Sequence, residues 1–562
     1  MQTSIPFFKS KHKTWIYSIL VVVAILPALL AVKNIKISPD SIKYSLISQE
    51  ILSGNGIKLP IVRLLDNHIP VNGTIPYPEE GPLLPILFAL LGGVTPQSYL
   101  AAKIINVISH VVISFFVFLL MKKLYDNNGI ALLTGILVSL SYPMLRNANH
   151  MATESLFIAL TTAALFFLIL SRHSDGNRSI GNLFLASICA SAAILTRFVG
   201  ISLIPVFFWE AFILVNPVRK DGTLNHTLFG NKYKDLSSSP PQGAGPSNGV
   251  KNKRLKLKYV SAILAAMLPI ITTGALFIRN YMHSGTIFGW NPPPFERSYL
   301  NAFTGTINMI FQQFPLGSRP VTLITICMIL FILYIIVNTK ARSRLSKYVH
   351  SGFDLIIIFI VTYTVLISLS MAKSQSVFEL RYVSPLVPFL FILCSIIIVF
   401  VWERVKFRGY PKLALVGIIL SLGIITSGNC YKTYLRLGGF FYKQESRYNI
   451  LKSPTYNWIK ENYGENTIIA TNRPYEFSFF GGYSTVFLPH RRFDKNYRID
   501  NIGLILPNRM SKIGSRVLVL FEKVEEKYEG SYLAGLFNKR QDNDNFVLIR
   551  EFQDAVVYHL KE

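Results

Sequence analysis

Apolar runs as long as a bilayer is thick recur along the chain, and no other feature constrains its fold so strongly. A hydrocarbon core of about 30 Å takes roughly 20 apolar residues in helix. That ruler marks spans near 14–32, 98–121, 130–145, 152–170, 182–196, 199–216, 259–278, 321–338, 353–371, 384–401 and 412–428, the two between 182 and 216 being short. The stretch 83–91 follows Pro82 and is too short to span, so it reads as an interfacial or re-entrant helix. The expected fold is a polytopic α-helical membrane protein of about 11 transmembrane helices. Of 562 residues, 51% are hydrophobic and 15% charged, which is too apolar for a soluble protein of this length.

The formal charge is +27. It does not point to nucleic acid, because the Lys and Arg lie in loops between apolar runs with no recognition motif around them. They suit orientation in the membrane and contact with lipid phosphates. With the N-terminus cytoplasmic, every inner loop is basic: Lys9, Lys11 and Lys13; Lys122 and Lys123; Arg172 and Arg178; and the clusters within 251–258, 340–347 and 404–412. The outer loop 279–320 has only Arg279, Arg297 and Arg319. This assignment puts Asp40, Glu79, Glu80, Arg146, Glu154, Arg279, Glu379 and Arg381 together on the extracytoplasmic side of the plasma (inner) membrane. The run 14–32 lacks a small-residue cleavage site and reads as a retained first helix. Cys189, Cys327, Cys394 and Cys430 are too scattered for a disulfide framework or a metal motif.

Three soluble pieces remain. The first outer loop, 33–81, carries the turn signals Ser53-Gly54-Asn55-Gly56 and Pro76-Tyr77-Pro78 and is expected to be ordered. The inner stretch 217–258 has linker composition. Beyond 428 the pattern changes to alternating polar and apolar residues, so residues 1–428 form a membrane module and 429–562 an extracytoplasmic α/β domain. That domain reads as a helix opening at Ser453-Pro454 and ending near Gly464, with strands at 467–471, 517–521, 546–550 and 555–560, the last two a hairpin. Its aromatics Tyr475, Phe477, Phe479, Phe480 and Tyr483 are core residues or sugar-stacking surfaces.

Ionisable groups at the rim of a bundle are costly to desolvate, so a cluster drawn from distant parts of the chain marks a candidate site. The stretch Ile37-Ser38-Pro39-Asp40-Ser41-Ile42-Lys43-Tyr44 reads as a helix start, with Asp40 and Tyr44 on one face. Asp40 is either a general base or a helix-start residue. Glu79 and Glu80, before Gly81-Pro82-Leu83, either bind substrate or favour a helix dipole. Arg146, His150 and Glu154 are four residues apart, so a helical continuation would line them up. Arg279-Asn280-Tyr281, Glu379-Leu380-Arg381-Tyr382 and Thr196-Arg197-Phe198 present guanidinium groups near headgroup depth, where they either snorkel or hold phosphate oxygens.

These stretches, in this order, resemble the GT-C superfamily of integral-membrane glycosyltransferases. The resemblance is in particular to the branch containing aminoarabinose transferase and the protein O-mannosyltransferases. The residues that carry the resemblance are Asp40 to Tyr44, Glu80-Gly81-Pro82-Leu83, Thr153-Glu154-Ser155, Thr196-Arg197-Phe198, Arg279-Asn280-Tyr281, Arg381-Tyr382 before Pro385 and Pro388, and the stretch 458–489. The resemblance implies an inverting transferase that takes a sugar from a polyprenyl-phosphate donor to a lipid, glycan or protein acceptor. It implies Asp40 as the base and Arg381, with Arg279, as phosphate ligands. Tyr382, Tyr281, Tyr44, Glu80, Glu154, Arg146 and Arg197 are further substrate-binding candidates. Any divalent cation would fall among Asp40, Glu80 and Glu154. Two departures stand out: Ser41 replaces the second acid that often follows the first, and Glu80-Gly81-Pro82-Leu83 lacks the histidine of the family's Glu-His-Pro-Pro type motif. The rival readings are a transporter or flippase of lipid-linked sugars, an oligosaccharide ligase or polymerase, and a non-catalytic scaffold.

Overall fold

The computed structural model describes residues 13–33, 35–63, 75–76, 81–174, 176–215, 247–287, 297–313, 352–373, 379–407, 450–464, 466–488, 502–521 and 532–561. The expected spans 321–338 and 412–428, and Glu79 and Glu80, lie outside them. In chain order the elements up to the third long span are α1 (Lys13–Val32), α2 (Pro39–Leu52), β1 (Lys58–Leu59), β2 (Ile61–Arg63), β3 (Ile75–Pro76), α3 (Leu83–Leu90), α4 (Leu100–Tyr125), α5 (Asn128–Ser139), α6 (Tyr142–Asn149) and α7 (Glu154–Arg172). There follow α8 (Gly176–Thr196), α9 (Ile204–Val215), α10 (Ser247–Ser284), α11 (Tyr299–Gln312), α12 (Phe353–Lys373) and α13 (Val387–Phe407). The C-terminal part holds α14 (Pro454–Asn462), β4 (Ile469–Thr471), α15 (Pro474–Gly481), β5 (Thr485–Phe487), α16 (Ile502–Ile513), β6 (Val517–Phe521), α17 (Tyr532–Lys539), β7 (Phe546–Glu551) and β8 (Ala555–Leu560).

Among the described residues seven helices are long and apolar enough to cross a membrane, and the protein is a multi-pass membrane protein. The expected third span, 130–145, is a broken one: α5 and α6 meet at 49°. Pro143, in the first turn of α6, has no N–H to give to the turn before it, and the helix restarts there. The expected span 199–216 begins as a 3-10 turn, Phe198–Leu203, before α9. A Cβ on Gly200 would lie 2.8 Å from the backbone nitrogen of Ile194, so the chain doubles back tightly on the end of α8. Helix α10 starts at Ser247 rather than near 259, so the last residues of the expected linker are helical. Lys, Arg and Leu dominate them and are good helix formers.

The connection into α3 is equally tight. A Cβ on Gly81 would lie 2.0 Å from the carbonyl oxygen of Leu195, at the end of α8 and two residues before Arg197. Gly81→Ala is therefore expected to cost about 3 kcal/mol or more through overpacking against rigid backbone. A lowered unfolding temperature of the detergent-solubilised protein would show it.

Among the described residues the larger sheet has six strands in the order β2-β5-β4-β6-β8-β7. The first four are parallel, β8 is antiparallel to β6, and β7 and β8 form the hairpin. Alternate residues of a strand face opposite sides. Val517, Val519 and Phe521 pack with Tyr456, Ile459 and Phe477. Leu518 and Leu520 pack with Leu506, Met510, Leu533 and Leu536 on the other side. The edge strand β2 comes from between α2 and α3, so the sheet is not the product of the C-terminal segment alone.

The bundle also closes on a buried polar cluster at the end opposite the sheet. Arg172, counted above with the inner-loop cations, is buried: it bonds Asp354 at 2.8 Å, and its Nε donates to Glu210 at 2.9 Å. Trp209 donates to the same aspartate at 2.6 Å. One guanidinium thus ties α7, α9 and α12 together.

Candidate active site

Helix α2 is started by serines. Ser38 accepts from the backbone N–H of Ser41 at 3.2 Å, and Ser41 accepts from that of Ser38 at 2.9 Å, a reciprocal capping box with Pro39 in the first turn. The cap is complete without Asp40. Its carboxylate turns to Arg381 instead, which donates to it at 2.8 Å, while Lys43 lies 3.6 Å away one turn on.

Arg381 sits on a 3-10 turn, Leu380–Tyr382, ahead of α13. Side chains hold every carbonyl of that turn: Gln313 donates to Leu380 at 2.5 Å, Ser384 to Arg381 at 2.7 Å, and Tyr363 to Tyr382 at 2.7 Å. Asn147 of α6 in turn donates to Ser384 at 2.9 Å. A backbone pinned from three helices fixes where the guanidinium points. Its Nε also forms an ion pair with Glu379 at 2.6 Å.

Arg197, in extended backbone after α8, donates to Glu154 at 2.6 Å and to Thr153 at 3.0 Å. The ring of Tyr382 lies 5.2 Å from the Arg381 guanidinium and 5.9 Å from that of Arg197, which joins the two ion pairs into one patch. Burial alone would raise the Asp40 carboxyl. Lys43 and Arg381, helped by Arg197, outweigh burial and hold it below its ordinary value.

The structure thus brings Asp40, Arg381, Tyr382, Arg197 and Glu154 together. It places the other candidates differently. Tyr44 is 2% exposed and belongs to the apolar core between α2, α3 and α4. Tyr281 is 62% exposed on α10. Arg279 is half-buried on the same helix. Arg146, His150 and Glu154 are not on one helix, because α6 ends at Asn149 and His150 is extended, pairing with Lys36. Burial, then Arg146, Lys36 and Arg381, push the His150 imidazole down to about 3, so it is neutral. Lys43, Gln313, Asn147 and Tyr363 were not singled out by the sequence. Only Lys43 left a signal there, its i+3 spacing from Asp40.

Among the described residues no three His, Cys, Asp or Glu side chains converge. Asp40 and Glu154 each already face a guanidinium, a poor donor set for a cation, and Glu80 lies outside the described residues.

Residues 79–229 match the family model described as dolichyl-phosphate-mannose-protein mannosyltransferase. That region includes Glu154 and Arg197 but neither Asp40 nor Arg381. The chain is similar to ArnT from Cupriavidus metallidurans in the apo state, with a TM-score of 0.56, 13% identity and 98% of each chain covered. It is also similar to ArnT of the same organism bound to undecaprenyl phosphate, at a TM-score of 0.53, 13% identity and 97% of each chain. A third similar structure is the archaeal oligosaccharyltransferase AglB from Archaeoglobus fulgidus, in complex with an inhibitory peptide and a dolichol-phosphate. There the TM-score is 0.50 at 12% identity, covering 92% of this chain and 70% of that one. No curated protein sequence matches the chain. These likenesses show that the chain shares the fold of these integral-membrane structures.

Proposed function

We propose that the protein is an inverting glycosyltransferase that moves a sugar from a polyprenyl-phosphate donor to a lipid, glycan or protein acceptor. The observation that carries this reading is the Asp40 carboxylate bonded to Arg381 and flanked by Lys43 at one end of the bundle. It is supported by the structures of similar fold whose bound molecules are undecaprenyl phosphate and a dolichol-phosphate.

In this reading Asp40 accepts the proton of the acceptor hydroxyl, and the hydroxyl oxygen attacks the anomeric carbon. The bond from that carbon to the phosphate oxygen breaks, and its electron pair leaves with the lipid phosphate. The leaving phosphate gains one negative charge, which Arg381, Lys43 and Arg197 stabilise. A guanidinium has five N–H donors, so Arg381 can hold Asp40 and a phosphate oxygen at once. The loop basicity supports a cytoplasmic N-terminus, with the site and the sheet extracytoplasmic.

The test is transfer from radiolabelled polyprenyl-phosphate sugars in proteoliposomes. Label arriving on acceptor supports the reading, and label crossing the bilayer on its lipid without transfer overturns it in favour of a flippase. Because the phosphate is assigned to protein cations, excess EDTA is expected to change the rate by no more than about 2-fold. A metal acting as Lewis acid would give a far larger loss.

A further inference from the structure

Strand β4 ends at Thr471, and two residues later the chain turns into α15, which lies against α2. Tyr475, on the first turn of α15, places its ring 5.4 Å from the Lys43 ammonium. The same ring packs 6.1 Å from that of Phe487, the last residue of β5. Phe479, one turn further along, is 3% exposed and shares a core with Ile42 and Ile47 of α2. Because β2, β5 and β4 run parallel, their carboxyl ends form one edge of the sheet, and that edge faces the start of α2. In open sheets of this kind, the edge at the carboxyl ends is where function usually gathers.

We infer that the sheet domain is a positioning element of the transfer reaction, its Tyr475 ring holding the Lys43 ammonium against the Asp40 carboxylate. The inference rests on Asp40 being the proton acceptor. A lysine has a long flexible stem, and each contact on its ammonium narrows the rotamers it samples. Here the ring bounds it on one side and the carboxylate, 3.6 Å away, on the other. The charged groups acting on Asp40 are Lys43 on its own helix, Arg381 on the 3-10 turn and Arg197 after α8. Arg381 and Arg197 are each shared with a second carboxylate, Glu379 and Glu154. The Lys43 contribution is therefore the one that the sheet can set.

The experiment compares the wild type, Tyr475→Leu, Tyr475→Phe and Lys43→Met in the full-length protein in proteoliposomes. The rate of transfer is followed against pH. In parallel, the Asp40 carboxyl band is titrated by infrared spectroscopy, identified by difference from Asp40→Asn. Releasing the ammonium should make the carboxylate easier to protonate. Tyr475→Leu is thus expected to move both the acid limb of kcat/KM and the Asp40 titration to higher pH, by roughly 1 unit. Tyr475→Phe should stay near wild type, because it keeps the ring. Tyr475→Leu combined with Lys43→Met should shift the titration no further than Lys43→Met alone. An Asp40 titration unmoved in Tyr475→Leu overturns the inference, whether or not the unfolding temperature falls. A moved titration in a protein that transfers no sugar would uphold the placing of Lys43 against Asp40 by Tyr475 and overturn the functional reading, and with it the role of that contact in transfer.

Discussion

Asp40→Asn is expected to lower the turnover of sugar transfer by roughly 10²- to 10⁴-fold, the usual range for loss of a positioned general base. The amide has the size of the carboxylate and can still accept a hydrogen bond from Arg381, so the 3-10 turn should keep its place. What is lost is the ability to take a proton. The substitution also leaves Arg381 and Lys43 with one anion fewer, so donor binding should hold or tighten while kcat falls. Initial rates at saturating donor, together with a direct measurement of donor binding, separate the two effects. A variant with wild-type turnover would remove Asp40 from the mechanism.

Arg381→Met should do damage of a different kind. It removes the group that bonds Asp40 and faces Glu379, and in the proposed reading it also removes a ligand of the phosphate. Both donor affinity and kcat are expected to fall, for a combined loss in kcat/KM on the order of 10³-fold. Arg381→Lys should recover only part of this, because an ammonium is a point charge that cannot span two oxygen groups as a planar fork does. Donor binding by Arg381→Met at wild-type affinity would show that the phosphate sits elsewhere. The unfolding temperature of each variant guards against reading a loosened fold as lost chemistry, since Asp40 and Glu379 would be left without the guanidinium.

Some of this arrangement could be read from the chain. Burial in hydrocarbon leaves a long apolar run, so α1, α4, α7, α8, α10, α12 and α13 were all visible as spans. Strands β6 and β8 showed through their apolar runs, and the helix opening at Ser453-Pro454 through its cap. The short strand β5 did not show, because three residues are too few to set up a period. Strand β2 was missed for another reason: Ile61 to Arg63 has no partner nearby in sequence, and only pairing with residues more than 400 positions away makes it a strand. The break between α5 and α6 had Pro143 as its signal, but a proline within an apolar span kinks some helices and starts others.

At the site, the residue types were legible and their partnerships were not. A lone acid near a helix start is ambiguous, and only the structure shows that Ser38 and Ser41 satisfy the cap between them without Asp40. Tyr44 and Tyr281 looked like neighbours of the charged groups because they are close in sequence. One is core and the other is exposed on α10. The sequence by itself determined that the chain lives in a membrane, and that its lone acids and fixed cations gather at helix ends. Both follow from the cost of taking charge and unpaired backbone out of water, which acts residue by residue. Only the tertiary structure decided that Asp40 meets Arg381, that Glu154 meets Arg197, and that the sheet reaches back to Lys43. Asp40 and Arg381 are 341 positions apart and Lys43 and Tyr475 further still, and no local rule of propensity or periodicity carries information across that distance.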